Sequence, residues 1–271
     1  MFETLIQKLQ EDKYLTLETT PQHEPSMHNI IEKIKKFKLQ DKVDGFSCTD
    51  NPLAKLKYNS LFAAKMLQDR FQKPVIATMS LRDRNKIALQ SDLLGANEVD
   101  VRAILALTGD PATISDQPHT KGVFESDSSL LLDIISCFNS GINYAGKPFA
   151  HKPREIYPFA VINSYAKNPK TLQKKMQKKI KHGALGIITQ PIYDIESAKL
   201  LLELKAELKP NSTELIFGIF PITKLRTAQF LSAHVPGINV PNSWIEALRE
   251  ANEKGADEEY PVGFKLSKNL L

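Results

Sequence analysis

Seven short apolar runs, each closed by turn residues and followed by a segment with helical spacing, constrain this 271-residue chain more than any other feature. A strand followed by a helix pairs in parallel with the next strand, because the helix must first carry the chain back. Strands are expected over 13–21, 43–52, 74–80, 103–107, 159–163, 185–191 and 215–221. An amphipathic lead-in occupies 1–9. Helices are expected over 26–39 with Ser26 as cap, 60–71, 86–94 with Gly95 as C-cap, and 130–138 behind a Ser126 or Asp127 cap. Further helices are expected over 171–182 ended by Gly183, 196–208, 225–233, 244–251 and 262–271, with a chain break at Pro236 to Pro241. This length and near-eightfold repetition favour an α/β fold of one domain, residues 1–271, a (β/α)8 TIM-type barrel rather than a doubly wound sheet. The absence of G-x-G-x-x-G and of a Walker loop points the same way. No eighth strand follows, so the last βα unit is expected to be missing or replaced, with residues 1–9 or a partner chain as the closure.

Composition narrows the function classes. At 42% hydrophobic and 25% charged, the chain is an ordinary globular one. Its net charge of +5 suits an anionic ligand. The basic segments Lys33-Ile-Lys-Lys-Phe-Lys38 and Lys174-Lys-Met-Gln-Lys-Lys-Ile-Lys181 fall on expected helices and read as solvated faces, not as a nucleic-acid patch. Cys48 and Cys137 have no metal spacing, the six histidines include no H-x-x-x-H pair, and no G-x-S-x-G elbow occurs. With no signal peptide and no apolar run of membrane length, the default expectation is a cytoplasmic protein with no membrane partner.

Parallel strands put their carboxyl ends on one rim, where barrel enzymes hold their ligands. The residues expected there are Glu18, Thr49 with Asp50, Ser80 with Arg82 and Asp83, Asp110, Asn163, Gln190 and the Phe220-Pro221-Ile222-Thr223 turn. In Arg102-Ala-Ile-Leu-Ala-Leu-Thr-Gly-Asp-Pro111 the strand stops abruptly: Gly109 permits a close approach and Pro111 forbids further ladder bonds. Glu18 and Asp110, two carboxylates on apolar strands, form a candidate acid/base or charge-stabilising set. Capping and loop roles are the alternative for each of these residues.

Four further motifs stand in order along the chain: Arg82-Asp-Arg-Asn85 with Leu89-Gln-Ser91, Leu105-Ala-Leu-Thr-Gly-Asp-Pro111, Gly183-Ala-Leu-Gly-Ile-Ile-Thr-Gln-Pro-Ile-Tyr-Asp194, and Phe217-Gly-Ile-Phe-Pro-Ile222 followed by Val235-Pro-Gly-Ile-Asn-Val-Pro241. Together they carry a resemblance to the methylenetetrahydrofolate reductase family, nearest to the reductase half of bacterial enzymes that join it to a homocysteine methyltransferase. The resemblance implies a flavoprotein in which FAD, reduced by NADH or NADPH, passes a hydride to 5,10-methylenetetrahydrofolate and gives 5-methyltetrahydrofolate. It implies Glu18 as the acid and Asp110 as the aspartate by the flavin. It places Thr49, Leu107, Thr108, Gly109, Asp110, Phe124, Asn163 and Lys179 at cofactor-binding positions, and Gln190, Tyr193 and Phe220 at folate-binding ones. A homo-oligomer is expected, with a partner protein as a possible electron donor in place of the nicotinamide. Gln22, Thr78 and Thr227 depart from the family pattern, and no counterpart of its last strand occurs before Leu271. These departures motivate the alternative of a non-catalytic or partner-dependent flavin-binding subunit.

Overall fold

The computed structural model describes residues 1–11, 13–209, 212–235 and 237–270. Its elements are α1 (Phe2–Gln10), β1 (Thr16–Thr19), α2 (His28–Lys36), β2 (Gly45–Cys48), α3 (Ser60–Phe71), β3 (Val75–Ser80), α4 (Lys86–Glu98), β4 (Ala103–Leu107) and α5 (Ser129–Asn139). There follow β5 (Tyr157–Ile162), α6 (Pro169–Lys181), β6 (Gly186–Pro191), α7 (Ile195–Ala206), β7 (Glu214–Gly218), α8 (Leu225–His234), α9 (Asn242–Lys254) and α10 (Glu259–Lys268). The expected positions Pro236 and Leu271 lie outside the described residues. The strands take the order β1-β2-β3-β4-β5-β6-β7, with helices alternating between them: the TIM-type (β/α) barrel pattern. Among the described residues, no helix is long and apolar enough to cross a membrane.

Two compact units divide the chain, and the boundary falls inside β5. The first, Met1–Ala160 with His182–Leu185, holds β1 to β4 and the start of β5. Its strands pair in parallel, with Glu18 opposite Ser47, Cys48 opposite Ala77, and Ser80 opposite Leu107. Every residue of β2 and β3 is buried, as expected of parallel strands covered on both faces. Asn59 accepts from the Leu61 and Phe62 amides and starts α3, and Asn85 accepts from Ala88 and starts α4. Asp127, rather than Ser126, accepts from the Ser129 amide at the start of α5. Ser26 accepts from the His28 amide just ahead of α2.

The expected end of α4 at Gly95 is corrected to Glu98. The helix runs on because Ala96 and Asn97 continue its buried face, and Asp100 takes the left-handed turn (φ 64°) in place of the glycine. Residues 1–9 supply no strand. The helix they form buries Phe2, Leu5 and Leu9, with Phe2 stacked on Tyr157 at 5.4 Å and the Arg102 guanidinium over both rings. It therefore sits at the amino ends of β4 and β5, beneath the strands.

The second unit, Val161–Lys181 with Gly186–Leu271, pairs β6 with β7 in parallel. Its core gathers Tyr193, Ile222, Ala228, Ile238, Val240, Trp244 and Leu248. After β7 the described residues form helices only. Gly263 lets α10 lie on the turn after β7: a Cβ there would come within 2.2 Å of the Ile222 carbonyl oxygen and 2.7 Å of Thr223 Cα.

The two helical glycines give opposite predictions. Gly263→Ala forces backbone apart and lowers stability in urea denaturation by about 1–3 kcal/mol. Gly95→Ala meets nothing within 4 Å and raises it by about 0.5–1 kcal/mol.

Candidate functional site

In the first unit the strand ends are joined by a buried ionic frame. Asp50 follows β2 and its side chain is 1% exposed. It accepts from the Ser80 amide at 2.9 Å and from Arg84 Nη1 at 2.6 Å. The Arg84 guanidinium also donates to the Ser80 carbonyl at 3.2 Å and to Asp92 on α4 at 2.8 Å. Arg82, 2% exposed, donates twice to Asp83 and once to the Asn51 carbonyl at 3.2 Å. Removing one partner of a buried ion pair typically costs about 3–5 kcal/mol, because the other charge is left without compensation.

Gly109 shows why this turn needs glycine. Its φ is 96°, and a Cβ would stand 2.2 Å from Ser80 Oγ and 2.9 Å from Arg82 Cβ. The close neighbour is thus the end of β3. Asp110, half-buried, accepts from the Leu53 amide at 2.6 Å through Oδ2. Thr108 Oγ1 accepts from the Ser128 amide and ties the end of β4 to the start of α5. Leu107 accepts the Leu81 amide through its carbonyl. Phe124 lies on a loop suspended from Arg82, whose carbonyl accepts the Val123 amide; it is 38% exposed, with φ 40°. Thr49 donates its amide to the Thr19 carbonyl, while its hydroxyl is shut away from solvent with no hydrogen-bond partner among the described residues. Such an orphan costs about 1–3 kcal/mol until something hydrogen-bonds to it.

Glu18 is reached by solvent, yet enough protein surrounds its carboxyl that burial raises the pKa above the ordinary 4.5. Burial is the cause of that shift. The neighbouring Cys48 thiol is pushed up to about 12, first by burial and further by the Glu18 charge, which outweigh its contact with Thr19.

In the second unit, Asn163 directly follows β5, and Gly237 (φ 88°) packs on its side-chain amide. The Gly237 carbonyl accepts the Ser164 and Tyr165 amides, and Ser164 Oγ donates to the Pro191 carbonyl at 2.7 Å. The segment around Gly237 is thereby pinned to the ends of β5 and β6. Gln190 is half-buried in β6, and Phe220, past the end of β7, is 48% exposed. Tyr193 is placed elsewhere: it is 2% exposed in the apolar core, edge-on to Trp244 at 5.3 Å, with no hydrogen-bond partner for its hydroxyl among the described residues and its pKa raised by burial. Lys179 is buried in the last turn of α6, which leads toward the amino end of β6 rather than away from a strand end.

Sequence reasoning missed the 51–54 turn, where Asn51, Leu53 and Ala54 all have positive φ (44°, 55° and 56°). Asn51-Pro52 was the only signal, since leucine and alanine give no hint of a left-handed conformation. Each such residue stores on the order of 1–2 kcal/mol. The role of Ser164 also went unseen, as its contacts are long-range.

Parallel strands in this order, with helices alternating between them, define the class: a TIM-type (β/α) barrel. The family model for methylenetetrahydrofolate reductase matches residues 2–268, and the chain belongs to that family. No curated protein sequence matches it significantly. Among solved structures it resembles an uncharacterised Clostridium thermocellum protein that binds two copies of 5-methyl-5,6,7,8-tetrahydrofolic acid, with TM-score 0.59 and 17% identity over 98% of this chain and 86% of that one. It also resembles phosphonopyruvate hydrolase in complex with oxalate and Mg2+, with TM-score 0.51 and 13% identity over 93% and 85%. At these identities the likeness is one of fold.

Since burial favours the protonated form, the contribution of Glu18 to stability is fully present below its unfolded pKa and is lost as pH rises through the raised folded value. Glu18→Gln therefore raises the melting temperature at pH 8 and leaves it close to wild type at pH 4, read by thermal melts at both.

Proposed function

We propose that this chain is a flavin-dependent methylenetetrahydrofolate reductase. The observation that carries the reading is Glu18: a carboxylic acid at a strand end, held protonated to higher pH by burial, in a chain of this family. The folate-binding structural neighbour supports a folate ligand. Bound FAD would supply the redox chemistry, taking a hydride from NADH or NADPH and delivering it to the folate.

The donor set of the first unit fits such a cofactor. The Thr49 hydroxyl has no hydrogen-bond partner among the described residues, and the turn from Leu107 through Asp110 offers backbone groups beside a carboxylate. Thr108, Gly109 and Phe124 complete the proposed flavin contacts of this unit, while Asn163 belongs to the second unit and is assigned to the cofactor only through the resemblance. Buried Lys179 enters this set only through the resemblance.

The chain's own chemistry follows from charge. Opening the five-membered ring of methylenetetrahydrofolate leaves a cationic 5-iminium and a nitrogen, N10, that must be protonated. Glu18 gives N10 that proton, a role that the upward shift of its pKa by burial favours. Asp110 supplies fixed negative charge for the iminium. Gln190 hydrogen-bonds the pterin, with Phe220 against the folate; Tyr193 needs its cluster to open before it could touch a substrate.

A second reading, a flavin-binding subunit that turns over only with a partner protein, is favoured by the burial of Tyr193 and by the helices that follow β7.

Purified protein given FAD is expected to show the flavin's visible absorption bands after gel filtration; a colourless protein overturns both readings. Glu18→Gln retains FAD and its reduction by NADH, and slows folate reduction by about 10²–10⁴-fold. Wild-type folate turnover in that variant removes Glu18 as the acid.

A further inference from the structure

The 51–54 turn is costly to hold and is gripped from several sides. Leu53 and Ala54 have φ of 55° and 56°, although neither is a residue that favours the left-handed region. Leu53 does not obtain this conformation through packing, since 41% of its surface is exposed. The restraints come from elsewhere in the first unit. Arg82 Nη2 donates to the Asn51 carbonyl at 3.2 Å. The Lys57 amide donates to Asn51 Oδ1 at 2.8 Å. Ser115 Oγ, from the loop after β4, donates to the Ala54 carbonyl at 2.7 Å. The fourth link is the Leu53 amide itself, directed at Asp110 Oδ2 at 2.6 Å.

Strained backbone persists only where its surroundings over-determine it, and then commonly serves to hold a functional group. We propose that the 51–54 turn is a positioning device for the Asp110 carboxylate, with Ser115 and Arg82 as the positioning residues that hold the turn against its strain. The strain is maintained so that one N–H meets Oδ2 and fixes the carboxylate plane. Oδ1, which has no hydrogen-bond partner among the described residues, is then left to face a ligand. Arg82 sets both sides of this contact. Its guanidinium holds the turn, and its Cβ lies in the space a Gly109 side chain would need, next to Asp110. A carboxylate not anchored in this way would rotate about its terminal torsion, which is broad for aspartate. Its charge would then be spread over several positions, and electrostatic stabilisation depends on fixed placement.

This inference rests on Asp110 acting as the carboxylate beside the flavin, so its test separates the device from that role. In flavin-free protein, hydrogen exchange at the Leu53 amide reports the device alone. Exchange is expected to accelerate in both Ser115→Ala and Asp110→Ala; unchanged exchange in both overturns the proposal whether or not flavin binds. In FAD-loaded protein, Ser115→Ala is expected to slow reoxidation of the reduced flavin by methylenetetrahydrofolate by about 10-fold to 10²-fold. Adding Leu53→Gly restores the rate, because glycine adopts this φ without strain and needs no tether. A wild-type rate in Ser115→Ala, or a slow rate that Leu53→Gly does not rescue, overturns the positioning role. A wild-type protein that binds no flavin overturns the functional reading instead and leaves the exchange measurement to decide the device.

Discussion

The ion pair between Arg84 and Asp50 is the interaction on which the first unit's strand ends depend. Parallel strands deliver their carboxyl ends to one side, but nothing in the ladder fixes the loops that leave them. Asp50 accepts the Ser80 amide and the Arg84 guanidinium together, so the exits of β2 and β3 are tied to each other. Arg84 extends the tie to α4 through Asp92. Gly109 then allows the exit of β4 to pack against Ser80 and Arg82. A buried ion pair is rarely more stabilising than well-packed apolar side chains of the same volume. What it supplies here is geometry: three consecutive loops share one rigid support, and Asp110 stands on the last of them.

Against that support, Glu18 is set apart. Its carboxyl lies at the end of β1 with its pKa raised by burial, whereas Asp110 is held by an amide donor. Different surroundings suit the two carboxyl groups to the different duties proposed for them. In the second unit, Gln190 and Asn163 lie near the ends of β6 and β5, and Ser164 pins the Gly237 segment to the same strand ends.

Much of the fold was legible because its signals are local. The apolar run Ala103–Leu107 and the periodic segment Ser60–Phe71 became a strand and a helix with those bounds. Gly95 misled because a glycine stops a helix only where the chain needs to leave it, and the buried face of α4 continues through Ala96 and Asn97. Within the candidate site, Glu18, Thr49 and Asp110 were readable from their place at strand ends. The partners that hold them were not. Arg84 meets Asp50 across 34 residues, Leu53 meets Asp110 across 57, and Leu53 and Ala54 have no compositional mark of a left-handed turn. Tyr193 illustrates the reverse: a motif placed it among ligand contacts, and apolar packing around Trp244 took it into the core.

The central claim is that these strand ends reduce a folate through a flavin. Its most direct measurement is anaerobic: the FAD-loaded protein is reduced, mixed with 5,10-methylenetetrahydrofolate, and the return of the oxidised flavin absorption is followed as 5-methyltetrahydrofolate is quantified. Reoxidation with one equivalent of 5-methyltetrahydrofolate formed per flavin is the result expected. A reduced flavin that persists in the presence of the folate, and is reoxidised only when oxygen is admitted, would contradict it.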